Sequence, residues 1–313
     1  MEGNFSKYYR SSAESFKIRG YGSFTEEDIN GIKADFWEYV TANYDKQRLS
    51  ALGLEAELGE DSIEKIEFVF AELIKYFDSL GIHNIKCNEM FLVPRGESDG
   101  FAGMASATGG VLVVNPALED RNLNQLVFLK VLAHELYHST ATVSFTITEK
   151  TSGFTIHRSI SSGGGISYNT ENDPLLFEEG MASLFEEFIT PKIKELFLEE
   201  TRTEYDDLVQ IALDDVEEPE LSDQYDIHLS QTDQGMRYTT SEYSGPREVV
   251  KYLISEIDNF LFLVEDARIN RHTLALARAI EDKFGRGSYR RISTALTTET
   301  REVLEELKQS KKF

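Results

Sequence analysis

Residues 123 to 139 read LNQLVFLKVLAHELYHS, and this stretch decides how the chain is organised. Its apolar residues run almost without interruption, so the spacing predicts a helix buried on every side. Two histidines stand near its end, His134 and His138, with Glu135 directly after the first. At i and i+4 on a helix the two imidazoles project from one face, about a turn apart, and both can reach one ion. Glu135 lies one residue on, close enough to act on a water at that ion without being a ligand. Without a metal, two histidines in a buried helix would each need another hydrogen-bonding partner.

Two ligands do not hold a catalytic metal, and a third is expected with one position left open. The best candidate is Glu179, in LFEEGMASLFEE over residues 176 to 187. Gly180 and Ala182 follow it, small residues that would let this helix pack closely against the histidine helix. Glu178 points about 100° away on the same helix. Glu186 and Glu187 repeat the Phe-Glu-Glu pattern without the glycine, and the plain reading of all four is surface carboxylate. His157 competes as a ligand, though a hairpin position suits it better to a cleft rim or the surface.

Outward from this centre, Ile63, Ile66, Phe70, Leu73, Ile74 and Phe77 share one helical face, and Gly81 sits where such a helix would be capped. Thr25-Glu26-Glu27-Asp28 has the form of a capping box and opens a helix to about Tyr44. The first 20 residues are polar and expected to be loosely held. IKCNEMFLVP over 85 to 94 and Val111 to Val114 predict strands, and the Gly/Ser-rich residues 96 to 110 predict loop or edge structure. Val111 to Val114 could form a cleft edge able to pair with an extended peptide, or an internal strand. Residues 141 to 170 alternate as a hairpin turning at Gly153, followed by a glycine-rich loop. Helices are expected over 173 to 190, from Gly245 through Leu261, over 272 to 284 and over 298 to 310. Residues 195 to 226 hold 13 acids and one arginine, a charge run expected to be a solvated face or loop. KFGRGSYRR, 283 to 291, reads as a helix-ending loop. The fold class is α+β, mostly helical, with a small mixed β-sheet. The organisation expected is an N-terminal helical region (1–90), a core (91–200) and a C-terminal helical region (201–313), with weak boundaries.

Composition narrows the function. Across 313 residues, 55 acids against 32 bases leave a formal charge of -23, which repels phosphate backbones and anionic lipid surfaces, so neither nucleic acid nor membrane is an expected partner. With 41% hydrophobic residues the chain can bury a large core. One cysteine, Cys87, excludes an intrachain disulfide and cysteine-rich zinc modules. No basic-then-apolar leader and no apolar run of about 18 to 20 residues is present, so a cytoplasmic protein is expected.

HELYH followed by FEEGMA resembles the gluzincin branch of the zincin metallopeptidases, over about residues 91 to 190. The resemblance implies a zincin-like core with flanking helices, Zn2+ held by His134, His138 and Glu179, and Glu135 as general base. It also implies hydrolysis of a peptide or protein substrate. The chain departs from the family in four places. Forty residues separate His138 from Glu179, more than in the aminopeptidase gluzincins. Glu178 stands where those enzymes carry Asn. Ser183 stands where thermolysin-like enzymes carry an Asp that orients a ligand histidine. No G-x-M-x-N segment is present, which favours an endopeptidase over an aminopeptidase.

The expected chemistry is attack by a metal-activated water, with Glu135 taking its proton and passing it to the leaving amine. A further donor is needed for the carbonyl oxygen. Tyr243 is the first choice, ahead of Tyr238, His228 and Tyr225. Two other readings stand beside this one. One is a catalytically silent or latent metal-binding protein of the same fold, acting as an interaction module. The other is a helical interaction protein in which the histidine pattern is accidental.

Overall fold

The computed structural model describes residues 16–21, 25, 27, 31, 58–59, 61–87, 89–93, 103–106, 110–114, 118–150, 153–162, 165–166, 176–215, 223–232, 235–240, 243–270 and 272–310. Among these the chain is mostly helical with three small sheets, an α+β arrangement.

The first clear helix, α1 (Ser62–Ser79), forms where the apolar spacing requires it and buries Ile66, Val69, Phe70, Leu73 and Phe77. Its end is a Schellman cap. Gly81 takes φ +78°, which lets its N–H reach the carbonyl of Asp78 and that of Ile82 reach Phe77, both at 3.0 Å. Next comes α2 (Arg121–Ser139), started by Asp120, whose carboxylate accepts the Leu123 N–H at 2.7 Å. Every residue from Leu123 to Tyr137 is buried, as its nearly continuous apolar run predicted. Helix α3 (Leu176–Lys194) packs along α2. Between α1, α2 and α3 the Tyr137 ring is stacked on Phe77 (6.2 Å between centroids) and on Phe185 (5.5 Å). Each such aromatic burial is worth about 1.5 to 3 kcal/mol.

The later helices bear out some expectations and correct others. The acidic run supplies, on a helix, the solvated face expected of it. It contains α4 (Glu199–Asp215), which buries Thr201, Tyr205, Val209 and Ala212 and leaves its acids outside. The helix expected from Gly245 through Leu261 is two: α5 (Ser244–Glu256) ends where Ile257 turns extended, and α6 (Phe260–Asn270) restarts after Asn259 at φ +57°. Helix α7 (Thr273–Phe284) stands as expected, but α8 (Ser288–Thr294) occupies part of the expected 283–291 loop, and α9 (Thr300–Ser310) closes the described chain.

One sheet has the order β1-β5-β6-β7 and a second β2-β4-β3. Strand β1 (Phe16–Tyr21) pairs in parallel with β5, so these residues of the expected loose N-terminus are held in a sheet. In the second sheet β4 (Gly110–Val114) lies in the middle, parallel to β2 (Glu89–Val93) and antiparallel to β3 (Gly103–Ser106). Val111 to Val114 is therefore an internal strand; β3 is an edge. The hairpin joins β5 (Thr142–Lys150) to β6 (Gly153–Ser162), with Gly153 paired to Lys150 rather than turning. The expected glycine-rich loop partly extends the sheet through β7 (Gly165–Ile166). A third sheet is the hairpin of β8 (Ile227–Thr232) and β9 (Gly235–Thr240), which follows the acidic run and was not expected. The helix expected from Thr25 to Tyr44 lies, but for three residues, outside the described residues, as does Pro174.

A cluster of buried apolar side chains reaches from Leu58 to Leu307. Among the described residues no helix is long and apolar enough to cross a membrane.

Candidate metal centre

The packing of α3 along α2 brings Glu179, in the first turn of α3, against the histidine face of α2. His134 and His138 project side by side, their ring centroids 4.9 Å apart. Each Nδ1 is engaged by its own carboxylate: His134 by Glu186 at 3.0 Å and His138 by Glu178 at 3.1 Å. An ionised carboxylate only accepts, so each Nδ1 donates and each Nε2 is turned inward. The two Nε2 atoms stand 3.1 Å apart, and Glu179 Oε2 lies 3.4 Å from each. That oxygen is buried and makes no hydrogen bond of normal geometry.

This arrangement fits a small divalent ion. Donors about 2.0 to 2.2 Å from a tetrahedral zinc stand about 3.3 to 3.5 Å from one another, close to the spacings seen. His134, His138 and Glu179 offer one donor atom each within 4.8 Å of the others, a group able to hold a metal. The electrostatics agree. Burial disfavours a charged His138, but the Glu179 carboxylate and the bonds to Glu178 and Glu179 outweigh it and hold its proton up to about 9. His134 is pushed well above its ordinary value against the same burial, by Glu179 and Glu186. Glu179, despite burial, is held well below the ordinary carboxylate range by the two imidazoles. The pocket thus attracts positive charge strongly, and a proton is what a metal would displace.

The chain matches no family model, no curated protein and no solved structure.

Behind the three donors stand residues that sequence reasoning set aside. Glu178 is not a third ligand but the hydrogen-bond partner of His138, and Glu186 is no surface group, being 2% exposed. Both are held down near about 2: burial pushes them up, and Arg268 beside Glu178 and Lys130 beside Glu186 overrule it. Lys130, on α2 one turn before His134, sits 3.1 Å from Glu186 and donates to the carbonyls of Tyr225 (2.6 Å) and Ile227 (2.8 Å). A signal for Glu186 existed. It follows Glu179 by seven residues, two turns on the same face, and a lysine inside an apolar helix needs an acidic partner. Of the four expected surface carboxylates Glu187 comes nearest, its side chain 30% exposed and paired with Arg247 (3.1 Å) and Lys251 (2.8 Å). Ser183 takes no part in orienting the histidines; its hydroxyl accepts from Arg247.

Glu135 is buried on α2, where its charge reaches both His134 and Tyr243. Tyr243 precedes α5 and lays its ring on His134, 5.5 Å between centroids and 13° from parallel. Burial raises its hydroxyl well above the ordinary range and nearby Glu179 and Glu135 add to this, so it stays a donor. Two of the other candidates are engaged elsewhere. Tyr238 donates to Asp215 at 2.7 Å, and Tyr225 lies under the Arg247 guanidinium at 5.3 Å. His228 is kept neutral, down at about 3, by burial and the Lys130 charge. His157 lies in β6 opposite Thr146.

Gly180 serves a different contact from the expected one. It faces α5, not α2: a Cβ there would lie 2.5 Å from the Pro246 carbonyl oxygen and 2.9 Å from a Val250 methyl. Its bareness lets the start of α5 come close, and Tyr243 is carried with it to the site.

Proposed function

We propose that this protein is a zinc-dependent peptidase of the gluzincin type, with a zincin-like core, acting on internal peptide bonds. The observation that carries this reading is the convergence of His134 Nε2, His138 Nε2 and Glu179 Oε2 at spacings of 3.1 and 3.4 Å, with Glu135 next in sequence. His134, His138 and Glu179 would hold the metal, whose chemistry is to acidify a water and polarise a carbonyl. The same donors accept other divalent ions, and zinc is favoured by ligand type.

The remaining steps belong to the chain. Glu135 accepts a proton from the attacking water as the water oxygen bonds to the carbonyl carbon. As the C–N bond breaks, Glu135 returns that proton to the leaving amine. The Tyr243 hydroxyl, protonated at all working pH values, donates to the oxygen on which charge develops. Stacking on His134 fixes its ring, which limits the motion the donor loses at the transition state.

Elemental analysis on gently purified, untagged protein tests the reading first, with about one zinc per chain expected. Glu135→Gln should then keep the metal and lose hydrolysis of a peptide library. A protein that takes up no divalent ion, or a Glu135→Gln variant that cleaves as fast as the parent, overturns it.

A further inference from the structure

Arg268 lies on α6, 89 residues beyond Glu179 in the chain, and its side chain is fully buried. All five of its N–H groups are used. Nε and Nη2 reach the two oxygens of Glu178 at 3.2 and 2.9 Å. Nη1 donates to Glu265 at 2.8 Å and to the Thr140 hydroxyl at 3.2 Å, and Nη2 also donates to the Tyr137 carbonyl at 3.0 Å. The guanidinium lies 4.0 Å from the centre of the Tyr137 ring. Nothing in this set is free to rotate.

The consequence passes through one atom. Glu178 Oε1 accepts from Arg268 Nη2 and, at 3.1 Å, from His138 Nδ1. A carboxylate gripped through both oxygens by a planar fork keeps one orientation. It can only accept, so Nδ1 of His138 keeps its proton and Nε2 is the atom turned to Glu179 and His134, the one whose proton a metal would displace.

We propose that Arg268 is a positioning residue of the metal centre: acting through Glu178, it sets the tautomer and ring plane of His138 and so the strength with which a divalent ion is held. This rests on the metal-site reading above. A purely architectural Arg268, pinning α6 to the end of α2, would need Tyr137, Thr140 and Glu265 but not Glu178.

Titration of the full-length, metal-stripped protein with Co2+ separates these cases, read as a Kd and as the visible absorption of the bound ion. Arg268→Lys keeps the charge but loses the planar fork, and Glu178→Gln keeps the shape but loses the ionised acceptor. Each is expected to weaken Co2+ binding by about 10- to 100-fold and to alter the spectrum. The double variant should be no weaker than the weaker single, because one residue acts through the other. Thr140→Val, which removes an Arg268 contact not leading to His138, should leave the Kd unchanged. If Arg268→Lys does not fold, Glu178→Gln and Thr140→Val still decide the matter by the contrast between them. Wild-type affinity in Glu178→Gln or in folded Arg268→Lys, losses that multiply in the double variant, or an equal loss in Thr140→Val overturns the proposal and leaves the metal site standing. Failure of the wild-type chain to bind Co2+ or Zn2+ overturns both.

Discussion

Gly180 presses against Pro246 so closely that a single added carbon would stand 2.5 Å from the Pro246 carbonyl oxygen. That contact joins α3, which carries Glu179, to α5, which Tyr243 precedes. Gly180→Ala gains helix propensity but must push backbone from backbone, and overpacking of this kind costs about 1 to 3 kcal/mol. A lowered thermal midpoint is expected, together with displacement of Tyr243. A midpoint at or above that of the wild type would show that α5 gives way freely.

Lys130 is 1% exposed and is held by Glu186 and by backbone carbonyls ahead of and within β8. Lys130→Met removes the ammonium and leaves buried Glu186 paired with His134 but without its lysine, a change worth up to about 3 to 5 kcal/mol. Urea unfolding should show a loss of that size. A variant as stable as the wild type would mean that His134, not Lys130, neutralises Glu186.

Tyr243→Phe keeps the ring on His134 and removes only the hydroxyl. If that hydroxyl stabilises the developing oxyanion, kcat on a cleaved peptide should fall by about 100- to 1000-fold. Metal content and KM should hold. An unchanged kcat, or a loss of metal, would remove Tyr243 from the role assigned to it.

Protons and metal compete for the Nε2 atoms, so pH should act on the two forms in opposite directions. The folded value of His138, about 9, lies above its ordinary 6.5. Its ion pairs therefore stabilise the metal-free fold below the unfolded value and are lost as pH rises through about 9. Glu178 and Glu186, held near about 2, contribute above their unfolded values and are lost as pH falls towards 2. Denaturation with a chelator present should show stability declining from neutral pH to about 9.5, while apparent metal affinity climbs over the same range and binding releases protons. A metal affinity flat across that interval would exclude His138 as a ligand.

The sequence by itself determined what is local. The four-residue spacing of His134 and His138 puts them on one face of any helix, and the apolar run from Leu123 makes that helix a buried one. The face of α1 and its glycine end were legible for the same reason: helical period and cap chemistry act within a few residues. Glu179 was found because it precedes a small residue in an apolar helix, although the neighbour Gly180 serves is α5 rather than α2. Only the tertiary structure decided the rest. In a chain with 55 acids, no property of Glu178 or Glu186 alone distinguishes a buried hydrogen-bond acceptor from a solvated carboxylate. Their roles depend on His138 and His134, 40 and 52 residues distant, and on Arg268, 90 residues from Glu178. The internal place of β4 likewise depends on which strands flank it. Sequence spacing specifies the direction of a side chain from its own helix; what waits there is chosen by how the helices pack.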